Sequence, residues 1–303
     1  MRIAVLDDYQ DAAAGSADWG ALDVTFFGDH LAGEDELTNR LAPFDVLVAM
    51  RERTAFPETL LRRLPALRLL VTTGMANAAI DLAAAAVNGV TVCGTRMFQP
   101  STSELTWGLI LSLVRHIPAE DAALRAGRWQ TTVGTELSGR TLGVVGLGTI
   151  GSQVAAVGRA FGMRVVAWSE HLDHPDRVDK ADLFRQADIV TVHYKLSARS
   201  RNIVGAPEIA LMKSGAFLVN TSRGPLVDTG ALVAALEEGR LGGAAIDVYD
   251  IEPLPADDPL RRAPRTILTP HIGYVTEAGY RTAYGDAVEA IHAYAAGAPI
   301  RLL

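Results

Sequence analysis

The chain has 303 residues, 49% hydrophobic and 21% charged, enough for two cores of ordinary domain size. Its formal net charge of −7, with no basic run longer than Arg62-Arg63 or Arg261-Arg262, argues against a nucleic-acid or anionic-membrane partner. A single cysteine, Cys93, excludes an intrachain disulfide and a cysteine metal cluster; following Val90, Thr91 and Val92, it reads as a buried structural thiol.

The first apolar stretch, 2–6, meets Asp7 and Asp8 too early for the core of a signal peptide and reads as a strand. Strands are expected at 2–6, 24–27, 46–50, 67–72 and 90–93, with helices between them, the alternation of a parallel α/β sheet. Pro57 ahead of Leu60, Leu61 and Leu64, and Gly89 behind the helix at 82–87, follow the rule of proline first and glycine last. These strands suit a small doubly wound, flavodoxin-like domain. Residues 94–100 interrupt the pattern, and Ser101 to Glu104 has the spacing of a capping box opening a long helix through Leu105, Leu109 and Leu113. The apolar part of that helix, 105–114, is far short of the roughly 20 residues that span a bilayer, so a cytoplasmic protein without a membrane partner is expected.

Residues 118–138 read as a helix and a loop. Six further strands follow, at 141–145, 164–168, 189–192, 216–220, 244–248 and 266–268, the count of a complete Rossmann dinucleotide-binding sheet. The last helix, 277–294, comes after that sheet and is expected to return to the first domain. The predicted organisation is a substrate domain of 1–98 plus 275–303 and a dinucleotide-binding domain of 99–274, with a cleft between them.

The strand at 141–145 runs into Gly146, Gly148 and Gly151 in G-x-G-x-x-G spacing, followed by a helix through Val154, Val157 and Phe161. The first glycine permits a sharp turn, the second a close approach to a pyrophosphate, and the third close packing of helix on sheet. Amides at the helix start, including those of Thr149 and Ile150, would face the ligand. Downstream, three strand-exit loops at 220–224, 247–253 and 269–273 carry Arg223, Glu252 and His271. An arginine fork suits a substrate carboxylate and polarises a ketone, an imidazolium donates a proton to the carbonyl oxygen, and a carboxylate orients that ring. No cluster of histidines and carboxylates has metal-ligand spacing, so no metal is expected.

From about residue 67 to 276 the sequence closely resembles the D-isomer-specific 2-hydroxyacid dehydrogenase family. The likeness rests on the stretch 136–143 leading into Gly-Leu-Gly-Thr-Ile-Gly, 211–216 leading into Val-Asn-Thr-Ser-Arg-Gly, Ala-Ala-Ile-Asp-Val-Tyr at 244–249, and Thr-Pro-His-Ile-Gly at 269–273. The resemblance implies NAD-linked hydride transfer between a small 2-oxo acid and its D-2-hydroxy acid, with Arg223, Glu252 and His271 as the catalytic set. It implies Asp247 near the nicotinamide carboxamide, cofactor contacts at His193 and Thr221, backbone amides of Met75 and Ala76 on the substrate carboxylate, and a homodimer joined through the cofactor domains.

The chain also departs from the family. Where an Asp usually accepts the adenosine ribose hydroxyls stand Ser169 and Glu170; Glu170 favours NAD, whereas Ser169 with a basic neighbour would admit NADP. Ala78-Ala79 replaces an Asp-Asn pair, and Lys195 stands where a proline is common. Tyr274 either shapes the substrate pocket or packs at a domain interface, and Arg51 with Arg53 either reaches an acidic substrate or forms a surface pair. The alternatives are an NADP-preferring glyoxylate or hydroxypyruvate reductase, a formate- or phosphite-type oxidase, and a nicotinamide-sensing binding protein.

Overall fold

The computed structural model describes residues 1–96 and 100–303. The chain divides into two compact units, Met1–Phe98 with Val275–Leu303, and Gln99–Tyr274, each built on its own parallel sheet.

In the first unit β1 (Arg2–Val5), β2 (Asp23–Phe26), β3 (Val46–Ala49), β4 (Leu69–Thr72) and β5 (Thr91–Gly94) pair in the order β2-β1-β3-β4-β5. A strand covered on both faces needs an unbroken apolar run, and β3 and β4 are buried at every position, whereas the edge strand β2 alternates between exposed and half-buried. Side chains alternate across the sheet. Ala4, Leu47, Leu70 and Val92 therefore share one face with Leu37 and Leu41 of α2 (Glu34–Leu41), Leu60 and Leu61 of α3 (Glu58–Leu61), and Ala84 and Ala85 of α4 (Leu82–Val87). Each such fully buried leucine contributes about 1.5–3 kcal/mol. The last helix (Glu277–Ala295) packs against β4 and α1 (Ala13–Ser16), with Tyr284 wedged against Trp19. It is tied to the sheet by Arg96, whose Nε and Nη2 reach the buried Asp286 carboxylate at 3.0 and 2.7 Å. Beyond it, Leu303 N–H donates to the Val92 carbonyl at 3.0 Å and Gly94 N–H to the Arg301 carbonyl at 2.8 Å, so residues 301–303 line the free edge of β5.

In the second unit β6 (Thr141–Val145), β7 (Arg164–Trp168), β8 (Ile189–Val192), β9 (Phe217–Asn220), β10 (Gly243–Ile246) and β11 (Thr266–Leu268) pair in the order β11-β10-β9-β8-β6-β7. The order reverses between β6 and β8, the switch point at which open sheets of this kind bind ligands. On one face α5 (Pro100–Val114) and α7 (Thr149–Ala160) bring Trp107, Ile110, Val154 and Ala155 onto Leu142 and Val144. On the other, α8 (Lys180–Gln186), α9 (Ala206–Leu211) and α10 (Thr229–Glu237) bring Leu183, Ile209 and Leu232 onto Val190 and Leu218. The helix α6 (Ile117–Arg125) follows α5.

Two local expectations change. Helix α5 begins at Pro100, so Ser101 lies within its first turn rather than capping it, because proline at the start already has the helical φ and needs no N–H partner. The expected interruption at 94–100 falls partly on 97–99, outside the described residues. Strand β10 stops at Ile246, and the buried Asp247 and Val248 belong to the loop; a buried loop residue and a strand residue look alike in hydropathy.

Candidate active site

The glycine turn sits at the switch point, and its three glycines answer to three different constraints. Gly146 has φ +98°, and a Cβ there would lie 2.6 Å from the His193 carbonyl oxygen. A Cβ at Gly151 would lie 2.1 Å from the Gly146 carbonyl oxygen, so the helix start presses on the turn itself. At Gly148 the same atom would meet nothing within 4 Å. That open side faces away from protein atoms at the N-cap of α7, where the first helical N–H to find an intrahelical partner is that of Ser152, donating to Gly148 at 2.9 Å. The amides of Thr149, Ile150 and Gly151 precede it.

Around this turn the adjoining strand ends are stitched together. Leu147 N–H donates to Ser169 Oγ at 3.2 Å, and His193 N–H to the Val145 carbonyl at 2.8 Å. The His193 ring shares a 2.8 Å bond with Thr191 Oγ1, and burial lowers its pKa to about 4, so it is neutral at neutral pH. Thr221 is buried, its hydroxyl 2.8 Å from that of Thr106, and Glu170 is exposed.

Along the same carboxyl edge, β9, β10 and β11 end in the three loops that carry Arg223, Glu252 and His271. Asn220 shapes the first: its Nδ2 donates to the Arg223 carbonyl at 2.9 Å and its Oδ1 accepts from Ser222 N–H at 3.1 Å. Gly224 lets this loop lie on the next, since a Cβ there would fall 2.1 Å from the Tyr249 carbonyl carbon. Glu252 is shared. Its Oε1 accepts from Tyr249 N–H at 2.9 Å and its Oε2 lies 2.6 Å from His271 Nδ1. His271 itself adopts φ +52°, with its N–H donating to Thr269.

Asp247, fully buried, holds the His271 loop from below. Its Oδ1 accepts from Thr269 Oγ1 at 2.6 Å and Ile272 N–H at 2.9 Å, and its Oδ2 from Gly273 N–H at 3.0 Å. Burial pushes its pKa up against the pull of those donors. The Tyr274 ring meets His271 edge-on, 5.3 Å between centroids.

Residues 107–273 match the family model "D-isomer specific 2-hydroxyacid dehydrogenase, NAD binding domain". A hydroxypyruvate reductase of Thermotoga maritima is 34% identical over 280 residues, 89% of this chain and 90% of that protein. The chain belongs to the D-isomer specific 2-hydroxyacid dehydrogenase family. A phosphoglycerate oxidoreductase from Vibrio cholerae, solved as a crystal structure, superposes with a TM-score of 0.93 at 38% identity over 98% of this chain and 100% of its own. A D-3-phosphoglycerate dehydrogenase of Methanocaldococcus jannaschii is 37% identical over 82% of this chain and 49% of its own length. The chain thus spans about half the length of that relative.

The family's NAD fits the second unit: the void at Gly148, the three amides opening α7 and the extended N-cap form a cradle that a side chain would fill. Of the dehydrogenase residues named from sequence, Gly146, Gly148, Thr149, Ile150, Gly151, Ser169, His193, Thr221, Asp247, Arg223, Glu252, His271 and Tyr274 all lie in this unit, on strand exits or the turn.

Met75, Ala76 and Arg51 lie in the first unit, at the ends of β4 and β3. Met75 and Ala76 are exposed beside Gly74, which has φ +97°. Arg51 is in the left-handed region at φ +52°, its N–H bonded to Thr73 Oγ1 at 2.9 Å. Sequence reasoning missed Asn77, buried here: its Nδ2 donates to the Arg51 carbonyl at 2.7 Å and to Thr72 Oγ1 at 2.8 Å, locking the two loops together. It also missed Asn220 and Thr269. The signal available was a short polar residue directly at or after a buried strand end, where loop amides need acceptors.

Proposed function

We propose that the chain interconverts a small 2-oxo acid and its D-2-hydroxy acid with NAD(H). The observation that carries this is the Glu252 and His271 pair, 2.6 Å apart, on the same sheet edge as the glycine turn. The amides of Thr149, Ile150 and Gly151 would hold the pyrophosphate, and a bound nicotinamide supplies the hydride in reduction. Arg223 pairs its planar fork with the substrate carboxylate and draws charge from the carbonyl. His271, donating Nδ1–H to Glu252, presents Nε2–H as the acid that protonates the carbonyl oxygen; in the reverse direction Nε2 takes that proton back. Glu252 fixes the ring's tautomer and offsets the charge of the imidazolium. Asp247 keeps the His271 loop in place.

In the first unit we assign anion recognition to the amides of Met75 and Ala76 and to Arg51. A homodimer through the second unit is supported by Ile117, Leu124, Trp129 and Val133, which are 50, 57, 77 and 93% exposed along and after α6. No helix among the described residues is long and apolar enough to cross a membrane, and the proposed setting is the cytoplasm.

The test is the loss of NADH absorbance with glyoxylate, hydroxypyruvate, pyruvate and a branched 2-oxo acid. Turnover with at least one, abolished in Arg223→Ala, is the expected result. NADH binding without turnover of any of them would overturn the dehydrogenase assignment in favour of a nicotinamide-sensing protein. Light scattering after size exclusion tests the dimer: a monomer mass would remove it.

A further inference from the structure

The contact between Glu252 and His271 lies beyond the paired strands that bring their loops side by side, since β10 ends at Ile246 and β11 at Leu268. Past those ends a 2.6 Å bond joins the two side chains, and one bond between side chains does not order the loops that carry them. Tyr249 holds both loops. Its ring is buried in the core cluster that includes Leu260 and Ala263, which fixes where its hydroxyl points. That hydroxyl lies 2.9 Å from the Thr269 carbonyl and 3.1 Å from the Ile246 carbonyl, so its proton is offered at the exits of β11 and β10 together. Burial pushes the phenol's pKa up, and the nearby Asp247 and Glu252 carboxylates push the same way, so the group stays a donor.

The backbone of the same residue serves the other partner. Tyr249 N–H donates to Glu252 Oε1 at 2.9 Å, while the Thr269 carbonyl that takes the Tyr249 hydroxyl also accepts the His271 N–H at 3.0 Å. These contacts close on themselves: Tyr249 donates to Glu252 and to the Thr269 carbonyl, that carbonyl accepts from His271, and His271 meets Glu252. A closed ring leaves no open side along which the carboxylate and the imidazole can drift apart. Phenylalanine at this position would keep the backbone N–H and the aromatic ring and would open the circuit at one bond. The Ile246 and Thr269 carbonyls would each retain a donor, from Thr269 N–H and His271 N–H at 3.0 Å, so no buried acceptor would be orphaned.

We propose that Tyr249 is a positioning residue for the proton transfer, its hydroxyl holding the His271 loop so that the ring stays against Glu252 and presents Nε2–H to the substrate carbonyl oxygen. The proposal rests on the dehydrogenase reading of the Glu252 and His271 pair. It gives Tyr249 no contact with substrate or cofactor. Loss of the hydroxyl must therefore fall on the chemical step, and must act through His271.

The experiment is steady-state reduction of a 2-oxo acid by the wild-type protein, Tyr249→Phe, His271→Gln and the double variant, with rates referred to the fraction of each preparation that binds NADH. That reference keeps partial unfolding from imitating a loss. The expected result is that Tyr249→Phe lowers kcat about tenfold, less than the roughly 100-fold that a shift of about 1 Å can cost, and leaves KM and the NADH Kd within about twofold. In the His271→Gln background the same change should cost less than about twofold, because the acid it positions is already gone. A Tyr249→Phe enzyme with wild-type kcat overturns the proposal, whether or not KM rises. An equal loss in both backgrounds also overturns it, since a general loosening of the fold would produce that. A wild-type protein that turns over no 2-oxo acid overturns the dehydrogenase reading and this role with it.

Discussion

Glu252 Oε2 lies 2.6 Å from Nδ1 of His271, a residue 19 positions further along the chain. The two arrive from the ends of neighbouring parallel strands, β10 and β11, so the sheet ladder itself sets the spacing of the acid and its partner.

Replacing His271 by Gln should lower the turnover of 2-oxo acid reduction roughly 100- to 10,000-fold, the usual worth of a positioned general acid. Glu252→Gln keeps a hydrogen-bonding group and loses less. The double variant should be little worse than His271→Gln alone, because the two act as one unit. Steady-state kinetics of the three variants test this; strictly multiplicative losses would contradict it.

Arg223→Lys should also be severely impaired. Lysine keeps the charge but lacks the planar fork, and its loop is shaped around that arginine by Asn220. A Lys variant within about tenfold of wild-type kcat/KM would show that a point charge suffices and that two-pronged recognition is absent.

The glycine turn separates binding from folding. Gly148→Ala adds a Cβ into open space and should leave the melting temperature unchanged while weakening NADH, whereas Gly151→Ala drives a Cβ to 2.1 Å from the Gly146 oxygen and should lower the melting temperature by several degrees. Thermal unfolding without ligand, followed by NADH titration, reads the two effects apart. Equal melting temperatures for both variants would contradict the geometry.

His193 makes stability depend on pH in a definite direction. Its pKa falls from an ordinary 6.5 to about 4 on folding, so between those values the unfolded chain binds a proton that the folded chain does not. The contribution is complete above 6.5 and lost as pH falls toward 4, at up to ~1.4 kcal/mol per pH unit. Urea unfolding at pH 4.5 to 7 should show a shallower slope for His193→Gln than for wild type; parallel curves would contradict the assignment.

Much of this was legible from residues alone. Unbroken apolar runs such as Val-Leu-Val-Ala at β3 mark strands covered on both faces, and the glycine spacing announces its turn. The strand-exit loops could be read because polar residues there follow immediately on buried runs. What could not be read are contacts between residues far apart in sequence. Asn77 holding Arg51, Asp247 holding the His271 loop, and Tyr194 stacking on Trp168 depend on which strands are neighbours, and strand order is not encoded in local periodicity. The start of α5 differs from its expectation for the opposite reason: two local signals, Pro100 and Ser101, compete within adjacent positions, and the proline prevails.

The pairing of residues 301–303 along β5 has a bearing on solubility. An uncovered parallel edge is a row of unpaired amides and carbonyls open to another molecule's strand, and here that row is occupied by Arg301 and Leu303 from the chain's own far end. A truncation that removes only these three residues would spare every group in the proposed chemistry yet unseal a sticky seam. Such a protein should retain its dinucleotide affinity when freshly diluted and lose it with time at high concentration, as molecules join edge to edge.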